Sequence, residues 1–98
     1  MSIFDKLPPL EDEIFEVLHK QKGIKISHII SSSKLKSIEY DQEEDEFVLL
    51  LEGEALLEIE GKEKMIKKGE YLFLPAHTKH KVLEVKQNTH WLAIYIKK

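Results

Sequence analysis

An all-β fold, an antiparallel sandwich or small barrel in one domain, is what this sequence predicts. Three observations carry the prediction. Short strand-like runs alternate with turn signals about every 8–12 residues, the spacing of sandwiches and barrels rather than of βαβ units. No stretch after residue 20 keeps a 3.6-residue apolar period. With 98 residues, 42% hydrophobic and 34% charged, the chain has the size and composition of a single globular core.

The elements follow in order. "LPPLEDE", residues 7–13, is broken by prolines and acidic, which predicts an arm rather than a regular element. "EIFEVLHK", 13–20, reads two ways: Ile14, Val17 and Leu18 have helical spacing, whereas Phe15 and Val17 suit a strand. Residues 1–20 are therefore assigned to a short N-terminal arm or helix, and 21–98 to the β-barrel. "GIKISHII", 23–30, alternates cleanly, with Ile24, Ile26, His28 and Ile30 on one face and Lys25 and Ser27 on the other. "SSSKLKS" is a polar loop. Further strands are predicted at Glu46 to Leu51, Ala55 to Glu60, Lys64 to Ile66, Tyr71 to Leu74, His80 to Val85 and Trp91 to Ile96. The segments between them, "EGE", "EGKE", "KKGE", "PAHT" and "KQNT", are turn chemistry.

Charge and composition exclude several functions. The net charge of −3 is spread along the chain and offers no basic face, so no nucleic-acid partner is expected. Without cysteine there is neither a disulfide framework nor a thiolate metal site. The longest apolar run, "FVLLL", is too short to cross a bilayer, and no membrane partner is expected. The opening residues lack a basic segment followed by an apolar one, so a cytoplasmic location is the expectation.

Alternation points to a site. Tyr40, Gln42, Glu44, Glu46, Val48 and Leu50 share one face of their strand, polar at first and then apolar. Glu46 stands at that border, where a lone buried carboxylate would be costly. His80 opens another strand directly behind the turn "PAHT". If the two strands face each other across a barrel, Gln42, Glu46 and His80 converge near its mouth. Imidazole, carboxylate and amide oxygen suit Fe, Mn, Ni or Zn as divalent ions.

Residues 38–96 resemble a small single-domain cupin, of the conserved-barrel or double-stranded β-helix superfamily. Its second motif, G-x5-P-x-G-x2-H-x3-N, near 69–84, is met by Gly69, Pro75 and His80, with His77 at the second glycine and Glu84 at the asparagine. The first, G-x5-H-x-H-x3,4-E-x6-G, near 40–53, is met by Glu46 and Gly53, with Lys34, Tyr40 and Gln42 at its earlier positions. The resemblance implies a cupin-type jelly roll and makes Glu46 and His80 metal-ligand positions, with Gln42 substituting an amide for an imidazole. Tyr40 and His77 are then the accompanying ligand-binding candidates. The ordinary readings stand beside these: His77 a turn residue at the rim, His28 a satisfied core histidine, His19 and His90 surface residues.

Two functions from different classes rank above a third, in which the barrel only dimerises, because polar residues recur on the inward face near its mouth. One is a divalent-metal site that binds, and in an enzyme transforms, a small polar molecule. The other is a metal-free pocket for a small ligand such as a sugar, without catalysis. The last strand is apolar on both faces, with Trp91, Ala93 and Tyr95 on one and Leu92, Ile94 and Ile96 on the other. Phe47, Leu49 and Leu51 are apolar opposite Glu46. A strand of that kind needs cover on both sides, so a homodimer is expected.

Overall fold

The computed structural model describes residues 2–36 and 39–97. Its strands, in chain order, are β1 (Glu13–Gln21), β2 (Ile24–Ser31), β3 (Asp45–Glu52), β4 (Glu54–Ile59), β5 (Lys62–Lys67), β6 (Tyr71–Leu74), β7 (His80–Val85) and β8 (Thr89–Ile96). They form two antiparallel sheets, one of five strands in the order β1-β2-β8-β3-β6 and one of three in the order β5-β4-β7. The sheets face each other as a jelly roll, and the all-β class predicted from the sequence is the observed one. A single 3-10 turn, Ile3–Asp5, precedes β1, and Ser2 and Asp5 cap it reciprocally.

The turns are where their residues require them. At Glu60–Gly61 both φ angles are positive, 49° and 78°, and Ile59 pairs with Lys62 across them. Two consecutive left-handed residues match the right-handed twist of the flanking strands, so this two-residue link closes the β4–β5 hairpin.

The segment 13–20, grouped above with the N-terminal arm, belongs to the sheet. It forms β1, paired with β2 from Glu13↔Ser31 to Gln21↔Ile24. The helical spacing of Ile14, Val17 and Leu18 comes from a bulge: the register shifts between Val17 and His19, which breaks the two-residue alternation.

The core lies between the sheets. Ile29, Val48, Leu50, Trp91 and Ala93 come from the larger sheet, and Ala55, Leu57, Ile66 and Val85 from the smaller. Leu50, Ile66 and Ala93 are wholly enclosed. Burying an aliphatic or aromatic side chain of this kind contributes about 1.5–3 kcal/mol. Because Glu46 shares a face with Val48 and Leu50, the same alternation that builds the core aims its carboxylate into the interior.

Candidate functional site

A pocket of about 70 Å³ enters the jelly roll between the two sheets. Val48, Leu57, Leu74, Val82 and Ile29 form its apolar floor and sides. Its polar groups gather at one place. The Gln42 amide donates to Glu46 Oε1 at 2.6 Å, and His80 Nε2 stands 3.7 Å from the same oxygen. The expected convergence of Gln42, Glu46 and His80 is therefore the observed geometry.

Two backbone devices hold these groups. Tyr40 and His80 form an isolated antiparallel bridge, with Tyr40 N–H donating to the His80 carbonyl at 2.7 Å and the reverse bond at 3.1 Å. That bridge stacks the Tyr40 ring on the imidazole, centroids 5.5 Å apart, and brings Tyr40 into the pocket wall. The Thr78 carbonyl, which can only accept, lies 2.8 Å from His80 Nδ1, so Nδ1 carries a hydrogen. In the neutral ring Nε2 is then a bare lone pair turned toward the Glu46 carboxylate. With neither group protonated, acceptor faces acceptor, an arrangement that favours a hydrogen-bond donor or cation between them.

His77 stands outside the pocket. Its backbone is left-handed at φ 62°, its Nδ1 pairs with Asp41 Oδ1 at 2.9 Å, and its side chain is exposed. The position where the cupin motif has glycine is thus one whose backbone favours glycine. The turn itself is useful: His77 N–H donates to the Gln42 carbonyl and Ala76 N–H to Asp45 Oδ1, both at 2.8 Å, fixing the segment that carries Gln42.

Nine lining residues were not among the sequence candidates, and four of these are acidic or aromatic. Trp91 and Tyr95 read as core, and β8 places both on the pocket wall. Glu13 and Phe15 come from β1. Ser31 donates to Glu13 Oε2 at 2.5 Å and accepts from the Trp91 indole at 3.0 Å, so carboxylate, hydroxyl and indole fix one another. The signal for Glu13 and Phe15 was their two-residue spacing, hidden by the helical alternative.

Burial sets the electrostatics. It pushes the Glu46 carboxyl above the usual range, against the lowering effects of His80 and the Gln42 hydrogen bond. Glu13 is raised by burial too, against the Ser31 bond. The Tyr40 and Tyr95 phenols are raised, first by burial and then by neighbouring carboxylates, so both stay neutral donors.

As a metal centre the donor set is short. Glu46 and His80 supply one carboxylate and one imidazole, and no group of three His, Cys, Asp or Glu able to hold an ion occurs among the described residues. Catalytic zinc sites and the facial triad of iron oxygenases use three such ligands. Gln42 completes a trio only by turning its amide oxygen inward and giving up its bond to Glu46. These residues do not fit a tightly held divalent ion.

Comparison with known proteins agrees with the fold. The cupin domain family model matches residues 34–95, and the chain belongs to the cupin family. It is similar over its whole length to a Ralstonia eutropha JMP134 protein carrying the provisional name mannose-6-phosphate isomerase, with 33% identity, 97% of that chain covered and a TM-score of 0.89. A cupin superfamily protein from Desulfitobacterium hafniense DCB-2 has 20% identity, with all of this chain and 90% of that one covered and a TM-score of 0.84. KdgF from Halomonas sp. has 13% identity, 95% and 88% coverage and a TM-score of 0.82. These last two likenesses concern the fold alone. No curated protein matches the chain significantly. No helix among the described residues is long and apolar enough to cross a membrane.

Proposed function

We propose that this cupin binds a small organic molecule inside its jelly roll, without a resident metal ion. The observation that carries the reading is the convergence of Gln42, Glu46 and His80 at the polar end of an otherwise apolar pocket. A few placed polar groups on apolar walls are the usual build of a small-molecule site. Glu46 and His80 Nε2 present lone pairs, so the ligand carries hydrogen-bond donors or positive charge at this end. Its body packs against Trp91 and Tyr40.

The provisional name of the Ralstonia eutropha relative raises a phosphosugar as ligand. The pocket speaks against it. Glu13 and Glu46 both face the cavity, no lysine lines it among the described residues, and the chain contains no arginine. A phosphate there would meet like charge with no fork of donors to hold it.

Elemental analysis of untagged protein, after incubation with Fe, Mn, Ni or Zn and desalting, tests the metal-free reading. Retention below about 0.1 ion per chain is expected, since two strong donors are one short of a built site. Stoichiometric metal that disappears in both His80→Ala and Glu46→Gln would overturn the reading and restore the metal centre implied by the cupin motifs.

A further inference from the structure

The charge of the pocket narrows its ligand further. Glu13 on β1 and Glu46 on β3 are carboxylates from two different strands of one sheet, turned into the same small cavity. Glu44 and Asp12 add negative charge nearby, Glu44 acting on Glu46 and Asp12 on Glu13. His80, 3.7 Å from Glu46, faces it as the neutral ring described above, with a lone pair rather than a charge. Lys25 lies over the Tyr95 ring, its ammonium 4.8 Å from the ring centre, and does not line the cavity. The lysines that form ion pairs, Lys6, Lys68, Lys81 and Lys86, pair with other carboxylates.

The walls are aromatic. Phe15, Tyr40, Trp91 and Tyr95 all line the cavity, and the Tyr95 ring already attracts one ammonium, that of Lys25. Aromatic faces carry negative potential, and several of them around a carboxylate form the setting in which quaternary and alkyl ammonium ions are held. Neutral polyols can donate hydroxyls to the two carboxylates but neutralise neither charge, and anions are repelled. A small hard metal ion finds too few ligands and apolar walls that cannot replace its water. An alkylammonium ion, weakly hydrated and apolar over most of its surface, meets both halves of the site.

We infer that the pocket recognises a small organic ammonium ion, its charge facing Glu13 and Glu46 and its carbon body against Trp91, Tyr95, Tyr40 and Phe15. This rests on the metal-free binding reading of the same pocket and names its ligand class. Glu13 acquires a role that local sequence did not suggest: Ser31 and Trp91 hold its carboxylate in place for the cation.

The test uses the untagged, metal-free full chain and the fluorescence of Trp91, which is the single tryptophan. Choline, tetramethylammonium, mannose 6-phosphate and 3,3-dimethyl-1-butanol, the uncharged isostere of choline, are titrated in parallel. Choline is expected to give a saturable response, the isostere to bind at least about tenfold more weakly, and mannose 6-phosphate to give none up to about 10 mM. Glu13→Gln and Glu46→Gln are each expected to weaken choline at least about tenfold and leave the isostere within about twofold. Should Glu46→Gln fold poorly by circular dichroism, Glu13→Gln, on an edge strand, decides. An isostere that binds as tightly as choline, or no saturable response to either ammonium ion, overturns the assignment. The two readings fail separately: equal binding of choline and its isostere, lost in His80→Ala, ends only the cation assignment, whereas stoichiometric metal ends the metal-free reading.

Discussion

Gly53 closes the link between β3 and β4 at φ 97°, a conformation L side chains rarely adopt, and it faces Thr89 at close range. A Cβ added there would stand 2.9 Å from Thr89 Cα and would run into the Thr89 hydroxyl. Thr89 is fully buried and its hydroxyl donates to the Lys86 carbonyl at 2.8 Å, so it cannot retreat. Gly53→Ala is expected to cost about 2–4 kcal/mol, from backbone strain and overpacking together. For a domain of this size that lowers Tm by about 10 °C or more. A loss under about 5 °C in a thermal melt would show that the link relaxes. His77 makes the complementary case: its left-handed backbone is tolerated because the side chain stays in solvent and pairs with Asp41.

Histidines 28 and 90 show another residue-level constraint. Both are buried, at 1% exposure, and form a chain. His90 Nε2–H donates to Asn88 Oδ1 at 3.0 Å, which leaves His90 Nδ1 to accept from His28 Nε2–H at 2.9 Å. Among the described residues, His28 Nδ1 then has no hydrogen-bond partner. Burial holds both rings below the ordinary histidine range, and for His28 the charge of His90 adds to this. Glu16 opposes the shift at His28, as Glu52 does at His90, and Lys6 reinforces it at His28. The sign follows. A depressed folded pKa means the unfolded chain binds the proton more tightly, so the contribution is complete above about pH 6.5 and is lost as pH falls from there through the folded values. Tm should drop between pH 7.5 and 5.5, and His28→Leu should reduce the drop. Each histidine contributes at most about 1.4 kcal/mol per pH unit in that window. An identical drop in the variant would refute the assignment to this pair.

At the scale of elements, β2, β3, β7 and β8 were legible as short runs between turn residues, β2 by its polar–apolar alternation and the others by the two-residue alternation of faces that any strand imposes. In β3 that alternation also gave the inward face, and with it Glu46; in β7 it gave His80 at the first strand position. β1 was not legible, because its bulge at Val17/His19 produces apolar spacing that passes for helical. Only pairing with β2 resolves the ambiguity, and that contact is unseen in a local window. The consequence reached the site, since Glu13 and Phe15 lie on β1 and were left out. His90 was misread for a related reason. It follows the polar turn "KQNT" and looks like a surface residue. It is buried, stacked on His28 with centroids 5.0 Å apart and met at 5.1 Å by the ring of Phe4 from the N-terminal segment. Alternation reports which face a residue occupies; what covers that face comes from chain far away.

At the scale of the molecule, the outer face of the five-stranded sheet carries apolar side chains beyond the end where Phe4 meets His90. Inward residues Trp91, Ala93 and Tyr95 belong to or pack on the core, while the other face of the same sheet turns Phe47, Leu49, Leu92 and Ile94 outward. β6 extends that surface with Tyr71 and Phe73, 65% and 53% exposed, and the Phe47 and Tyr71 rings stack at 5.5 Å. Apolar side chains here are contiguous across β8, β3 and β6, whereas exposed apolar residues elsewhere on a surface are usually scattered. A second copy meeting this face about a two-fold axis would lay aromatic against aromatic, the self-complementary arrangement that dimers favour. About 800 Å² per partner is the usual size of such a contact. A homodimer of this kind would use β3, β6 and β8 and would leave the pocket between the sheets open. Sedimentation at about 10 μM should give twice the 11.5 kDa chain mass, since a standard-size apolar contact is tight at that concentration. Phe73→Lys, at a half-exposed position that folding can spare, should shift the protein to monomer with its circular dichroism unchanged. A wild-type monomer at that concentration, or a dimer indifferent to Phe73→Lys, would place the partner elsewhere.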